Sequence, residues 1–190
     1  MKFTEKKIIL ASKSPRRSQL LTNAGIPFEV KVEEVEETYP PDLPVEEVAP
    51  YLAHKKATAS VHFLEKGSII LASDSVVILD DVIYGKPEGY EGAFQMLRTL
   101  SGRVHRVITG VCLLSEEKVR IFSETAYVHV DPISDEEIDY YIRHYEPYDK
   151  AGAYAIQEWI GLCKISRIEG TYSNIMGLPM NAVCRELEVF

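Results

Sequence analysis

Ile8-Ile9-Leu10-Ala11-Ser12-Lys13-Ser14-Pro15-Arg16-Arg17-Ser18-Gln19-Leu20-Leu21 opens on four consecutive apolar residues and then changes character within two positions. A short unbroken apolar run suits a strand buried on both faces. Ser14 is a good helix N-cap and Pro15 is preorganised for the first helical position. Arg17, Leu20, Leu21 and Ala24 then keep helical spacing until Gly25 ends the helix. The unit is therefore strand, tight loop, helix.

Working outward, Phe28, Val30 and Val32 alternate with charged neighbours and predict a returning strand before the acidic stretch Glu33 to Glu37 and the Pro-rich loop 40–44. Val45, Val48, Ala49 and Leu52 mark one face of a helix that Pro50 should kink or divide. Lys56 continues that face and Lys55 does not. Ile69 to Leu79 is an apolar run broken only by Ser73-Asp74-Ser75, and Asp80-Asp81 offers a turn into Val82-Ile83-Tyr84. A helix through Ala93, Met96, Leu97 and Leu100 closes at Gly102, and 104–114 with 119–130 reads as a long hairpin. Ser134 and Glu137 form a capping box for a helix facing inward through Ile138, Tyr141, Ile142 and Tyr145, ended by Pro147. A strand from Leu162 to Ile168 and a last helix opened by Pro179, with Met180, Val183, Cys184 and Leu187 inward, complete an α/β pattern with a mixed sheet. No internal repeat or linker interrupts it, so residues 1–190 read as a single domain.

Composition narrows the class. A chain of 190 residues with 46% hydrophobic and 26% charged residues can fill its own core without staples. A net charge of -8 disfavours partners bound through a phosphate backbone, so no nucleic-acid partner is expected, although the local arginines keep a nucleic-acid module as a rival. Three scattered cysteines form no disulfide framework or zinc knuckle and point to a reducing compartment. The apolar run after the basic start, Met1 to Lys7, is too short for a signal sequence or a membrane span, so the reading is cytoplasmic with no membrane partner.

Four features carry chemistry. Arg16 and Arg17 fall in a helix's first turn, where the dipole disfavours cations. Two guanidiniums beside unpaired backbone N–H groups match phosphate oxygens, unless both are merely solvated or paired with surface carboxylates. Asp74, inside buried aliphatics, must be paired, metal-bound or at a strand end facing a cleft; capping a turn between two shorter strands is the plain alternative. The glutamates between 33 and 37 offer hard oxygens of the kind Mg²⁺ accepts, though such a run is usually just solvated. Lys56 stands out by its inward face and Lys86 by its place in Tyr84-Gly85-Lys86-Pro87, against the alternative of ordinary surface charges. The five histidines show no metal-ligand spacing, and no G-x-S-x-G or Walker sequence occurs. Tyr154 and Trp159 could stack a base or simply pack in the core or at its rim.

The stretch from Leu10 to Leu21 resembles the opening signature of the Maf-type nucleotide pyrophosphatases. Ala72-Ser73-Asp74-Ser75-Val76-Val77, Gly85-Lys86-Pro87, 96–102, Asp149-Lys150-Ala151-Gly152-Ala153-Tyr154 and Gly177-Leu178-Pro179 are similar to its later blocks in order and spacing. The resemblance implies an elongated, two-lobed α/β fold of the Maf and inosine triphosphatase kind, with a cleft between lobes and usually a homodimer. It implies hydrolysis of a nucleoside triphosphate to monophosphate and pyrophosphate with Mg²⁺ or Mn²⁺. Asp74 then matches the catalytic aspartate, and Arg16, Arg17, Lys56 and Lys86 match phosphate-binding cations. Glu37 with Asp74 matches the metal side, and Arg16, Ser75 and Gln157 match positions tied to substrate choice. The block 149–157 is similar to the branch acting on dTTP and UTP. The family's link to septum formation leaves a nucleotide-binding regulator of cell division, without significant turnover, as the alternative. The sequence departs from the pattern at Ser75, where threonine is commoner, and at Ala155, where glycine is usual. It departs again at Gln157-Glu158-Trp159-Ile160-Gly161, a slightly longer replacement for a glycine-rich stretch, which bears on base selectivity more than on chemistry.

Overall fold

The computed structural model describes residues 6–190, so residues 1–5 of the basic start lie outside the described residues. A seven-stranded mixed sheet carries the chain, in the order β2-β1-β3-β5-β6-β7 with β4 paired to β3. Here β1 is Lys7–Leu10, β2 Phe28–Val30, β3 Ser68–Leu79, β4 Val82–Tyr84, β5 Val104–Leu114, β6 Val119–Val130 and β7 Ile165–Glu169. β1 runs parallel to both β2 and β3, whereas β4 and β7 are antiparallel to their partners. The α/β class with a mixed sheet that the pattern predicts is the fold found.

Two compact units make up the chain: Met1–Asp74 with Thr109–Glu124 and Gly177–Phe190, and Ser75–Ile108 with Thr125–Met176. In the first, α1 (Pro15–Asn23) follows β1 and α2 (Val45–Ala59) precedes β3. Ile9, Ala11, Ile70, Ala72, Cys112 and Leu114 supply the sheet side of a core to which α2 adds only Ala53 and Ala57. Methyl-sized side chains let the helix approach closely. Pro50 does not divide α2, which is continuous through it. A β-carbon added at Gly110 would stand 2.2 Å from the Pro50 nitrogen and 2.3 Å from the Ala49 carbonyl carbon, so helix backbone lies flush on β5 there.

In the second unit, the two-residue turn at Asp80 and Asp81 joins β3 to β4, both residues at positive φ as a tight hairpin of the primed type requires. α3 (Gly89–Leu100) and α4 (Asp135–Tyr145) bury Ala93, Leu97, Leu100, Ile138, Tyr141 and Ile142 in one cluster. α4 starts at the capping box foreseen at Ser134 and Glu137. Tyr154 belongs to this core and its hydroxyl meets the Nε2 of buried His105 at 2.8 Å, so it packs and does not present a face for stacking.

Three local expectations fail. The strand predicted through Val32 ends at Val30, which is itself exposed, because the chain leaves the sheet edge once β1 ends at Leu10. Leu162 is not strand but part of a short helix, α5 (Trp159–Cys163), 79% exposed, with β7 starting at Ile165. Cys184 and Met180 of the last helix, α7 (Met180–Val189), are only half-buried, and Ala182 takes the inward place beside Val183 and Leu187. A one-turn helix, α6 (Tyr172–Ile175), lies where no periodicity announced it. Among the described residues no helix is long and apolar enough to cross a membrane.

The close packing at Gly110 has a measurable consequence. Gly110→Ala should lower unfolding free energy in urea by about 3 kcal/mol or more, since the added methyl meets helix backbone that cannot rotate aside. Gly85→Ala, with nothing within 4 Å of the new carbon, should stay within about 0.5 kcal/mol of the parent. Equal effects at the two positions would contradict the packing described.

Candidate active site

β1 lies between two parallel neighbours, one reached through α1 and the other through α2. In open α/β sheets such a switch in direction leaves room for a ligand outside the carboxyl ends of the strands. Leu10, the last residue of β1, pairs with Leu71, and β3 runs on beyond it. Ser12 to Arg17 and Asp74 therefore gather at the same end of the same two strands.

The loop after β1 is held by its own side chains. Ser14 sits at the N-cap but makes no side-chain cap bond; the Ser12 hydroxyl accepts the Ser14 N–H at 3.2 Å instead. That hydroxyl also accepts from Arg17 Nη1 at 3.0 Å, while Arg17 Nε donates to the Gly177 carbonyl at 2.8 Å. Ser73 Oγ donates to the same carbonyl at 3.2 Å. Gly177 has φ of 107°, a backbone that side chains rarely adopt, and its carbonyl faces the strand end. Ser12 and Gly177 position the guanidinium, and spacing in the sequence assigns neither of them a role. Only their contacts across the fold reveal one.

Lys56 is the centre of the second cluster. Its Nζ lies 2.5 Å from Asp74 Oδ1 and 2.7 Å from Glu37 Oε1, with the lysine side chain only 15% exposed. Asp74 sits within the continuous strand β3 and is 8% exposed, so it is no turn cap between two shorter strands. Burial raises its affinity for a proton above the ordinary carboxylate value, and the charges of Lys56 and Arg17 oppose that rise. Arg17 shows the mirror image, with burial lowering its proton affinity and the Asp74 charge restoring part of it. Arg16, one residue earlier in the first turn, is half-buried and close enough to add to the depression at Arg17. Of the acidic run, Glu33 faces His62 and Glu34 binds Lys13 at the surface; Glu37 is the member joined to Asp74 through Lys56. Lys55 turns instead to the Thr38 carbonyl and hydroxyl at 2.9 Å.

The donor set suits a hard divalent cation. Two carboxylate oxygens reach one common point, now held by an ammonium, and among the described residues no group of three His, Cys, Asp or Glu side chains could hold a metal by itself. A pair of carboxylates that leaves most positions to water and substrate phosphate is what Mg²⁺ commonly takes.

The remaining sequence candidates belong to the second unit. Ser75 is the next residue of β3 after Asp74, Lys86 is exposed at a bend after β4, and Gln157 is exposed in a turn preceded by five buried residues, 152–156. The departure at Glu158 has a structural partner. Its carboxylate accepts from the buried Tyr141 hydroxyl and lies 3.6 Å from Lys150 Nζ, while the same hydroxyl accepts the Ala155 N–H at 3.1 Å. Trp159 packs edge-on to Tyr140 with ring centroids 5.6 Å apart, so the inserted pair braces the turn that carries Gln157.

Residues 7–190 match the sequence profile described as Maf-like protein. The chain belongs to the Maf-like protein family. A Porphyromonas gingivalis protein named dTTP/UTP pyrophosphatase is 48% identical over 187 residues, covering 97% of this chain and 94% of that protein. A Phocaeicola vulgatus protein of the same name is 50% identical over 183 residues, covering 96% and 95%. Among solved structures, the Staphylococcus aureus Ham1 protein shares 16% identity at a TM-score of 0.43 over 66% of this chain and 72% of that one, too distant to bear on function.

In this Maf-like protein the raised proton affinity of Asp74 has a stability sign. A carboxyl whose folded value lies above its unfolded one favours folding below the unfolded value and loses that contribution as pH rises through the folded value. Ionised Asp74 is therefore held against the fold at neutral pH. Asp74→Asn should match or exceed the parent melting temperature at pH 7, with any advantage shrinking as pH falls through the raised folded value toward about 4; a marked loss at pH 7 would contradict this.

Proposed function

We propose that this Maf-like protein hydrolyses dTTP and UTP to the monophosphate and pyrophosphate. The observation that carries the proposal is the convergence of Lys56 and the braced Arg17 on Asp74, a buried carboxylate at the carboxyl ends of β1 and β3. The names of the two bacterial relatives supply the nucleotides. A cytoplasmic homodimer belongs to the same proposal on the family resemblance, with Cys112, Cys163 and Cys184 as free thiols.

Asp74, kept ionised by Lys56 and Arg17, accepts a proton from a water whose oxygen attacks the α phosphorus in line with the departing pyrophosphate. Arg16 and Arg17 meet phosphate oxygens at the start of α1, where the helix dipole adds to the positive field. Because Arg17 is braced before substrate arrives, charge developing on the phosphate oxygens meets a fixed cation there without reorganisation, an effect of the kind that supplies much of the rate in such sites. Glu37 and Asp74 would hold Mg²⁺ or Mn²⁺, which would neutralise phosphate charge and draw electron density from the phosphorus under attack. On the resemblance alone, Lys86 is a further phosphate-binding cation, and Arg16, Ser75 and Gln157 set base preference.

The test is product identity. With dTTP or UTP and Mg²⁺, one pyrophosphate should appear per monophosphate; orthophosphate as sole inorganic product would overturn the assignment. Asp74→Asn should lower kcat by about 10² to 10⁴-fold yet leave nucleotide binding, measured by calorimetry without divalent metal, at the parent's level. In the parent, activity should fall on acidification through a pH above the usual carboxylate range. Lys56→Met, lacking the charge that opposes the shift, should move that limb upward, and an unmoved limb would contradict the role given to Lys56.

A further inference from the structure

The same contact that makes Lys56 a candidate phosphate ligand also stands in the way of metal. Its Nζ lies 2.5 Å from Asp74 Oδ1 and 2.7 Å from Glu37 Oε1, so one ammonium satisfies both carboxylates at once. A divalent ion held by those oxygens would need distances of about 2.0 to 2.1 Å from each, which puts it on the ground the ammonium occupies. Two cations cannot share that ground, and the nearby Arg17 charge adds to the repulsion. Among the described residues no group of three His, Cys, Asp or Glu side chains offers the ion a ready-made alternative.

We propose that Lys56 is an internal stand-in that keeps divalent metal out of the nucleotide-free protein, and that it releases Glu37 and Asp74 only when phosphate oxygens offer its ammonium a replacement. The protein's ligand is then the complex of metal with triphosphate, and neither half binds well alone. This rests on the pyrophosphatase reading for its choice of nucleotide. The device is mechanically simple. Lys56 is fixed by its backbone in the last turn of α2, where its carbonyl accepts from Ser60 Oγ at 2.9 Å, but its ammonium swings on a four-carbon stem. The coupling is reciprocal, so metal must strengthen nucleotide binding by the factor by which nucleotide strengthens metal binding. If the lysine holds the carboxylates in about 90 to 99% of nucleotide-free molecules, apparent metal affinity is reduced by about 10 to 100-fold.

Mn²⁺ binding followed by electron paramagnetic resonance reads this directly on the full chain, without turnover. In the absence of nucleotide, Lys56→Met should bind Mn²⁺ at least about tenfold more tightly than the parent. The parent should approach that affinity only with a dTTP analogue bearing a methylene bridge between the α and β phosphorus atoms. Adding Asp74→Asn to Lys56→Met should abolish the gain, and Lys56→Gln serves where the methionine variant does not fold. Equal Mn²⁺ affinity in parent and lysine variants without nucleotide would overturn the proposal, as would a gain that survives loss of Asp74. Pyrophosphate release by the parent is scored separately. Release with no lysine effect sinks this inference alone, and a lysine effect without release sinks the pyrophosphatase reading alone.

Discussion

One ammonium shared by two carboxylates is the contact on which the rest of this site depends. Asp74 lies in a strand whose neighbours are aliphatic, and an ionised carboxyl there is tolerated only with a cation against it. Lys56 supplies the charge from α2, Glu37 shares it from the irregular segment before that helix, and Arg17 adds a second positive field from α1. The arrangement opposes the fold in the ionised state, as sites built for chemistry often do.

Backbone placement makes that contact possible. α2 carries alanines toward the sheet and rests on Gly110, so the lysine two turns further along starts close to β3 and keeps most of its stem covered. Gly177 does the equivalent for Arg17, since a positive φ turns one carbonyl toward both the guanidinium and Ser73. Neither glycine touches substrate in the proposed reaction. Each fixes where a charged group begins, which in an electrostatic site is as consequential as the charge.

Much of the fold was legible because its signals are local. The apolar run into Pro15, the Asp80-Asp81 turn and the Ser134 and Glu137 box each act within a few residues, and each appears where the pattern put it. The inward face of α2 likewise separated Lys56 from Lys55. Local pattern failed where a distant partner decides. Val32 has strand periodicity but no strand left beside it, and Leu162 is apolar yet exposed on a helix five residues long. The choice of Glu37 among four glutamates, the bracing carbonyl of Gly177 and the partnership of Glu158 with Tyr141 all join residues that spacing alone does not connect. Glu158 is instructive, because an added acid at the surface of a motif proves to be a buried hydroxyl's acceptor.

Which phosphorus water strikes decides the mechanism, and isotope placement reads it directly. Turnover of dTTP in ¹⁸O-labelled water, followed by mass spectrometry of both products, should put one heavy oxygen in the monophosphate and none in pyrophosphate. Label in the pyrophosphate would mean attack at the β phosphorus and would contradict the role assigned to the buried acid of β3.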